Sequence, residues 1–435
     1  MKIKAMTNRL KVCAVALALT VALAGCTSIA ETASDDSAET SAKAVSGSTT
    51  IESVETLSVT DKDLATDYDE SEAVMIDLSK VTGIYKITEE GTYICTGTAS
   101  DATIAVEVSE EEDVQIVLRD ASITSSTSAA IYVISADEVY ITLEGENYLA
   151  NGGTFEAIDE NDIDAVIYSK DDLTINGDGS VEIGSPAGHG IVCKDDLVIA
   201  SGTYEITASV DGINTNDSVA VVDADITVEA GDDAIHTDGM MQIDGGVINV
   251  TAAEGLEGTY VLINGGDITI SASDDGINAG QKSDAYIPTV EINGGNITIT
   301  MGQGDTDGID SNGNIIINGG TVNITGQSTC DYDGTAELNG GTLIVNGQEV
   351  DTIPNQFMGG AGGMGGAMMG GQMDQMGPQG NSNFDPASSG NGQFPSDFDP
   401  DSIPQMPDGE MPGGVPGGRG QRPDRQQTNT NAQQQ

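Results

Sequence analysis

The stretch Asn264-Gly265-Gly266-Asp267-Ile268-Thr269-Ile270-Ser271-Ala272-Ser273-Asp274-Asp275-Gly276-Ile277-Asn278 decides the fold. Asx-Gly-Gly supplies a turn with positive φ. The alternation Asp267-Ile268-Thr269-Ile270 gives a strand with one face to bury and one to wet. An acid pair and the triplet Gly276-Ile277-Asn278 complete the unit. Similar triplets occur as Gly190-Ile191-Val192, Gly212-Ile213-Asn214, Ala234-Ile235-His236, Gly255-Leu256-Glu257, Gly308-Ile309-Asp310 and Thr329-Cys330-Asp331. Their central residues are spaced 22, 22, 21, 21, 32 and 21 apart, and the long step holds a loop insertion at 281–288. A second marker keeps the same register: Asp244-Gly245-Gly246, Asn293-Gly294-Gly295, Asn318-Gly319-Gly320 and Asn339-Gly340-Gly341. Short strands and turns repeating without helix predict a β-solenoid in which each period is one coil. One coil cannot bury its apolar side alone; stacked coils pair in parallel about 4.8 Å apart and share a core. Upstream, Ala165-Val166-Ile167, Ala130-Ile131-Tyr132 and Thr103-Ile104-Ala105 fit the unit more loosely. The expected architecture is an all-β parallel β-helix over residues 76–350, with its cap near Gly83 to Gly97. Propeller blades, at about 40 residues each, do not fit this period.

Outside the repeat, the composition shifts three times. Residues 1–26 join a basic start to the apolar run Val12 to Ala24 and end at Leu23-Ala24-Gly25-Cys26. This is the layout of a lipoprotein signal peptide, with lipidation expected at Cys26. An exported protein held on the outer face of a membrane by its lipid follows. Residues 27–75 read as a disordered Ser/Thr/acidic linker, and 351–435, rich in Gly, Met, Pro and Gln, as a disordered tail. Cys95, Cys193 and Cys330 are too few and too scattered for a disulfide framework and read as small buried hydrophobes. The chain has 70 acids against 15 Lys+Arg, a net charge of -55. Such a surface repels phosphate backbones, which excludes direct nucleic-acid binding, and it attracts cations. The absence of Trp and the 56 glycines argue against a helical bundle.

Stacking turns the repeat into chemistry, because equivalent positions on adjacent coils lie about 5 Å apart. The position before each triplet reads His189, Asp211, Asp233, Glu254, Asp275, Asp307, Ser328. The last triplet position reads Val192, Asn214, His236, Glu257, Asn278, Asp310, Asp331. Asp232, Asp274 and Asp305 flank the first column, and Asp238 and Asp333 follow the second. Neighbouring carboxylates at this spacing repel by about 3–4 kcal/mol at an effective dielectric near 20, and by about 1 kcal/mol in water. Calcium takes oxygen ligands at about 2.3–2.6 Å, so oxygens on opposite sides of one ion span about one coil step. The candidate calcium ligands are therefore Asp211, Asp232, Asp233, Glu254, Glu257, Asp274, Asp275, Asp305, Asp307, Asp310, Asp331 and Asp333.

Asp274-Asp275-Gly276-Ile277-Asn278 and Asp232-Asp233-Ala234-Ile235-His236, with Ile-Asn-Gly-Gly strands and the lipoprotein start, resemble a family of cell-surface carbohydrate-binding β-helix proteins. Ile87-Thr88-Glu89-Glu90-Gly91-Thr92-Tyr93 and Ser122-Ile123-Thr124-Ser125-Ser126 share the likeness. The resemblance implies a right-handed parallel β-helix related in fold to pectate lyases, with bound calcium. It also implies binding of cellulose and of acidic sugars such as polygalacturonate without known catalysis. The alternatives are a polysaccharide lyase or glycoside hydrolase and a structural adhesin. A lyase needs a basic residue to take the proton α to a uronate carboxyl. Arg119, read as outside the regular coils, and Lys194 and Lys282, read as solvated, are the candidates. Gly231-Asp232-Asp233 and Gly188-His189-Gly190 superficially match polygalacturonase signatures, but in reversed order. Asp232/Asp233 and Asp305/Asp307 are the acid pairs open to hydrolysis; His236 reads as a cap on a neighbouring coil. Neutral polysaccharide would use the faces of Tyr260, Tyr286 or Tyr332. A monomer is expected.

Overall fold

The computed structural model describes residues 54, 56–303 and 306–356. The leader 1–26 with Cys26, the candidate ligand Asp305 and the tail beyond 356 lie outside the described residues. From Ala165 onward each coil is cut into three short strands. Ile213–Thr215, Ser218–Val221 and Asp225–Ala230 form one coil; Asp233–Thr237, Met240–Ile243 and Val247–Ala252 form the next. The first strands of the coils make an 11-stranded parallel sheet, here called the anchor face. The second and third strands belong to one 22-stranded sheet. It is fused upstream because the long strand Val114–Ser125 pairs with both Glu138–Glu144 and Glu146–Asn151.

The anchors Ile191, Ile213, Ile235, Leu256, Ile277, Ile309 and Cys330 are direct register partners from coil to coil. All are fully buried, each aliphatic side chain contributing about 1.5–3 kcal/mol by leaving water. Ile104, Ile131 and Ile167 continue the column upstream. There Ile167 rather than Val166 holds the anchor position, a one-residue slip from the sequence alignment. Val166 is buried as well, so hydrophobicity alone does not distinguish them. On the third strands Ile268 and Ile270 point into the core while Thr269 points out, and Ile297, Thr298 and Ile299 repeat this.

The Asx-Gly-Gly turns stack into a side-chain ladder. Asn264 donates to Asp244 at 2.7 Å, Asn293 to Asn264 at 3.0 Å, Asn318 to Asn293 at 2.8 Å and Asn339 to Asn318 at 3.0 Å. Both glycines of the turn are required. Gly266 sits at φ 95°, and a Cβ on Gly265 would lie 2.5 Å from the Asp244 carbonyl oxygen.

The solenoid is closed at both ends. Upstream of the expected cap, the 3₁₀ turn Leu78–Lys80 buries Leu78 in the core. Gly83–Ile87 and Gly91–Ala99 are already ladder strands. Downstream, Gln348–Val350 folds back antiparallel on Thr342–Val345 and covers that edge. The expected disordered tail begins later than residue 351: Ile353 is buried, and Gln356 Oε1 accepts from the Thr329 amide at 2.9 Å.

Residues 56–73, expected within the disordered linker, run along the second-strand side instead. Leu57 N donates to Gln242 Oε1 at 2.8 Å, and Asn176 Nδ2 donates to the carbonyls of Asp63 and Ala65 at 3.0 Å each. A polar composition hides this docking, because side-chain hydrogen bonds, with Leu57 as an apolar contact, hold the segment. Arg119 is also relocated. It lies inside strand Val114–Ser125, paired with Glu144 of the next coil, just before the left-handed Asp120.

Candidate functional site

The anchor strands place a second, outward column beside the buried one. Its register is Tyr132, Tyr168, Val192, Asn214, His236, Glu257, Asn278, Asp310 and Asp331. The acids at the position before the triplet form the neighbouring column, with Asp233 directly opposite Glu254. Their carboxylates also cap the backbone of the next coil: Asp211 Oδ1 accepts the Asp233 amide at 3.1 Å, and Asp275 Oδ1 accepts the Asp307 amide at 3.0 Å. The structure thus gathers Asp211, Asp233, Glu254, Glu257, Asp275, Asp307, Asp310 and Asp331 on one face. Asp232, Asp274 and Asp333 lie exposed at its edges.

The upstream half of this face gives its acids side-chain partners. His189 Nδ1 lies 3.1 Å from Asp211 Oδ2, and Asn214 Nδ2 donates to that oxygen at 2.6 Å. Burial opposes the Asp211 charge, but these partners hold its pKa below the usual value. His236 Nδ1 sits 2.9 Å from Asp233 Oδ2 and 2.6 Å from Glu257 Oε2. Lys282 Nζ reaches Glu257 Oε1 at 2.6 Å. Burial disfavours the imidazolium, yet Asp233 and Glu257 raise His236 to about 10. Burial likewise opposes the Glu257 charge, yet His236 and Lys282 bring it down to about 2. His236 therefore clasps neighbouring coils, as its position in the acidic column suggests. Lys282 is not the solvated lysine expected: the 281–288 insertion carries it back onto the column.

In the downstream half, the charged neighbours that shift Asp275 and Asp310 are all acids. From Ser283 to Gly418 the sequence contains no Lys, Arg or His. Burial, reinforced by Glu257, Asp233 and Asp275, raises Glu254 to about 8. Burial with Asp310, Asp274 and Asp307 raises Asp275 to about 7. Burial with Asp307, Asp331 and Asp333 raises Asp310 to about 6. Each perturbing acid is itself a member or neighbour of the column, so the repulsion runs along it.

These groups fit a hard divalent ion. The donors are carboxylate and amide oxygens, the set calcium prefers. Beside Asp307, the buried Thr306 hydroxyl has no hydrogen-bond partner among the described residues, which leaves a neutral oxygen available. Asp233, His236 and Glu257 bring three ligand atoms within 4.8 Å of one another, but the protonated imidazole already occupies their centre. The fit therefore concentrates on Glu254, Asp275, Asp307, Asp310, Asp331 and Asp333.

A second cluster escaped the sequence reading. Asp172, Asp195 and Asp196 also bring ligand atoms within 4.8 Å. Burial, then Asp172, Asp196 and Asp217, raises Asp195 to about 6. The signal was the recurrence of Lys170-Asp171-Asp172-Leu173 as Lys194-Asp195-Asp196-Leu197. The tyrosine expectation needs correction at Tyr260, whereas Tyr286 and Tyr332 are half-buried. Tyr260 is 3% exposed, packed with Met240, Leu262, Leu57 and Tyr286, and offers no free face. Lys194 stands over the Tyr168 ring at 5.6 Å. Arg119 is bound by Glu70, Glu144 and Tyr68, which raise its pKa further. Cys95, Cys193 and Cys330 are buried free thiols, as expected.

Comparison with known proteins bears on the family of the chain. A carbohydrate-binding domain-containing protein of Acetivibrio thermocellus is 36% identical over 127 residues, which make up 28% of this chain and 44% of that protein. The chain thus spans less than half the length of that relative. The solved structure of the polysaccharide lyase-like protein from C. thermocellum, a gadolinium derivative, is 26% identical. It covers 62% of this chain and 98% of its own, with a TM-score of 0.41. Residues 82–349 match the family model for carbohydrate-binding domain-containing proteins. The chain belongs to that carbohydrate-binding family.

Proposed function

We propose that the protein binds calcium along the downstream column and through it retains acidic polysaccharide, of the polygalacturonate type, without cleaving it. The observation that carries this reading is the run Glu254, Asp275, Asp307, Asp310, Asp331 and Asp333 on one face, where neighbouring acids add to burial in raising Glu254, Asp275 and Asp310. These residues would hold the ion, which supplies positive charge to a row of acids. Calcium takes six to eight oxygens, so an ion on this shallow face keeps positions for water or for a uronate carboxylate. The glycan thus meets a cation rather than a bare acidic wall. The expected leader and lipidation at Cys26 support a surface exported and held on the outer face of a membrane.

The same geometry argues against catalysis. A lyase base must be neutral to accept a proton. Lys282 is paired with Glu257, His236 is held at about 10, and Arg119 is fixed in its own ion pairs. Glu254 at about 8 and Glu257 at about 2 show the split a hydrolase uses. However, Glu257 is 4% exposed and clasped by His236 and Lys282, so it has no water to activate. With Tyr260 covered, an acidic glycan is favoured over cellulose.

Retention on immobilised polygalacturonate tests the reading. The protein should be retained with calcium, released by chelator, and weakened at least tenfold by Asp275→Asn/Asp310→Asn. New unsaturated or reducing ends would mean an enzyme. Retention that ignores the chelator would remove calcium from the account, and no retention would leave an adhesin without this ligand.

A further inference from the structure

Residues 56–73 contain no strand, and among the described residues no backbone–backbone hydrogen bond ties them to the coils. Side chains hold them. Lys62 Nζ lies 2.6 Å from Asp113 Oδ2 and 4.7 Å above the Tyr140 ring. Tyr68 donates to Glu144 at 2.6 Å, and Glu70 pairs with Arg119 at 2.8 Å. The deepest contact is Asp63, 4% exposed although its partners include another carboxyl. The Thr174 hydroxyl lies 3.2 Å from Asp63 Oδ1 and 2.8 Å from Glu138 Oε1. One hydroxyl proton cannot serve two carboxylates. The Tyr140 hydroxyl donates to the other Glu138 oxygen, and the Thr60 amide donates to Asp63 Oδ2 at 2.6 Å. Two ionised carboxylates would therefore face each other at a buried contact with one donor too few.

We propose that residues 56–73 are a pH-gated strap, latched by a proton on Glu138 that faces Asp63 beside Thr174 and released when that proton is lost to solvent. Burial, with Asp63 adding to it, holds Glu138 at about 7, against 4.5 for a free carboxyl. The groups facing the pair are the Tyr140 and Thr174 hydroxyls, Asp63 itself, and Lys62 with its partner Asp113. Burial and Glu138 raise the pKa of Tyr140, so it keeps its proton throughout. The closed strap binds the proton more tightly than the open one. Closure is therefore strongest in mild acid and weakens as pH climbs from the free value of 4.5 to about 7. Opening bares Thr142, Thr174, Asn176 and Gln242, which then need water or another hydrogen-bonding ligand in place of the strap. This latch lies away from the acidic column, so it stands or falls independently of calcium and glycan.

Hydrogen exchange of the full chain between about pH 5 and pH 9, corrected for intrinsic rates, tests the latch. Strap amides should open on the order of a hundredfold more at the alkaline end, with the rise levelling off above about pH 7. Amides of Asp225–Ala230, in the solenoid wall, report opening of the solenoid itself, and the strap's change is read against theirs. Glu138→Gln keeps the size and the hydrogen-bonding capacity of the side chain and should abolish the dependence; Asp63→Asn should do the same if the first variant misfolds. Lys62→Ala should loosen the strap at every pH but keep the slope. Equal strap exchange at both pH values in the unaltered protein, or an unchanged slope in Glu138→Gln, overturns the proposal.

Discussion

Raising the pH without divalent ions should destabilise the solenoid, and calcium should reverse the loss. Burial and neighbouring acids hold Glu254 at about 8 and Asp275 at about 7, against 4.5 and 3.8 for free carboxyls. A carboxyl raised in the folded state carries no penalty below its unfolded value; stability then falls as pH climbs to the folded value, here from about pH 4 to about pH 8. At about 1.4 kcal/mol per unit, Glu254 sets a ceiling near 5 kcal/mol and Asp275 one near 4 kcal/mol. Both are partly solvated and they repel each other, so their joint effect is on the order of 4 kcal/mol rather than the sum. At roughly 2 °C per kcal/mol for a domain of this size, Tm should fall by about 8 °C between pH 5 and pH 9 in chelator. Glu254→Gln/Asp275→Asn should flatten that dependence and separate it from the general repulsion of an acidic chain. Calcium should raise Tm more at pH 8 than at pH 5, because its ligands must be ionised. Differential scanning calorimetry measures both. A chelated protein that melts equally at the two pH values would refute the repulsive column, and a calcium effect indifferent to pH would refute its carboxylates as ligands.

Lys282→Gln should leave Glu257 with His236 alone and raise its pKa from about 2 toward the ordinary range, readable by carboxyl NMR titration. Lys282 is more than a third exposed, so the stability loss at neutral pH should stay near 1 kcal/mol. An unmoved titration would show the pair to be incidental. Gly265→Ala should cost about 1–3 kcal/mol, because its Cβ meets the Asp244 carbonyl at 2.5 Å, and an unchanged denaturation midpoint would contradict the close packing of the turns.

Much of the fold was legible because a solenoid writes its geometry as a period. Ile213, Ile235 and Leu256 stack as their spacing requires, since adjacent coils must align their buried positions to share a core. The same logic predicted that Asp275, Asp307, Asp310 and Asp331 would share a face. Where the repeat loosens, inference slipped: Val166 and Ile167 are equally apolar, and only pairing with Ile191 selects Ile167. Tyr260 looked like an exposed platform because its cover, Leu57, lies far away in the chain. Asp172, Asp195 and Asp196 meet at a corner that the triplet register does not mark.

By itself, then, the sequence determined the parallel β-solenoid, the stacking of the anchors and the single acidic face, because those depend on periodicity and short-range turn chemistry. Tertiary structure alone decided where that face is neutralised and where it is not. The insertion at 281–288 returns Lys282 to Glu257, and His236 settles between Asp233 and Glu257. It alone also decided that residues 56–73 strap the solenoid. Such contacts join residues distant in sequence through hydrogen bonds and charge, interactions that follow distance in space and leave no period in the chain.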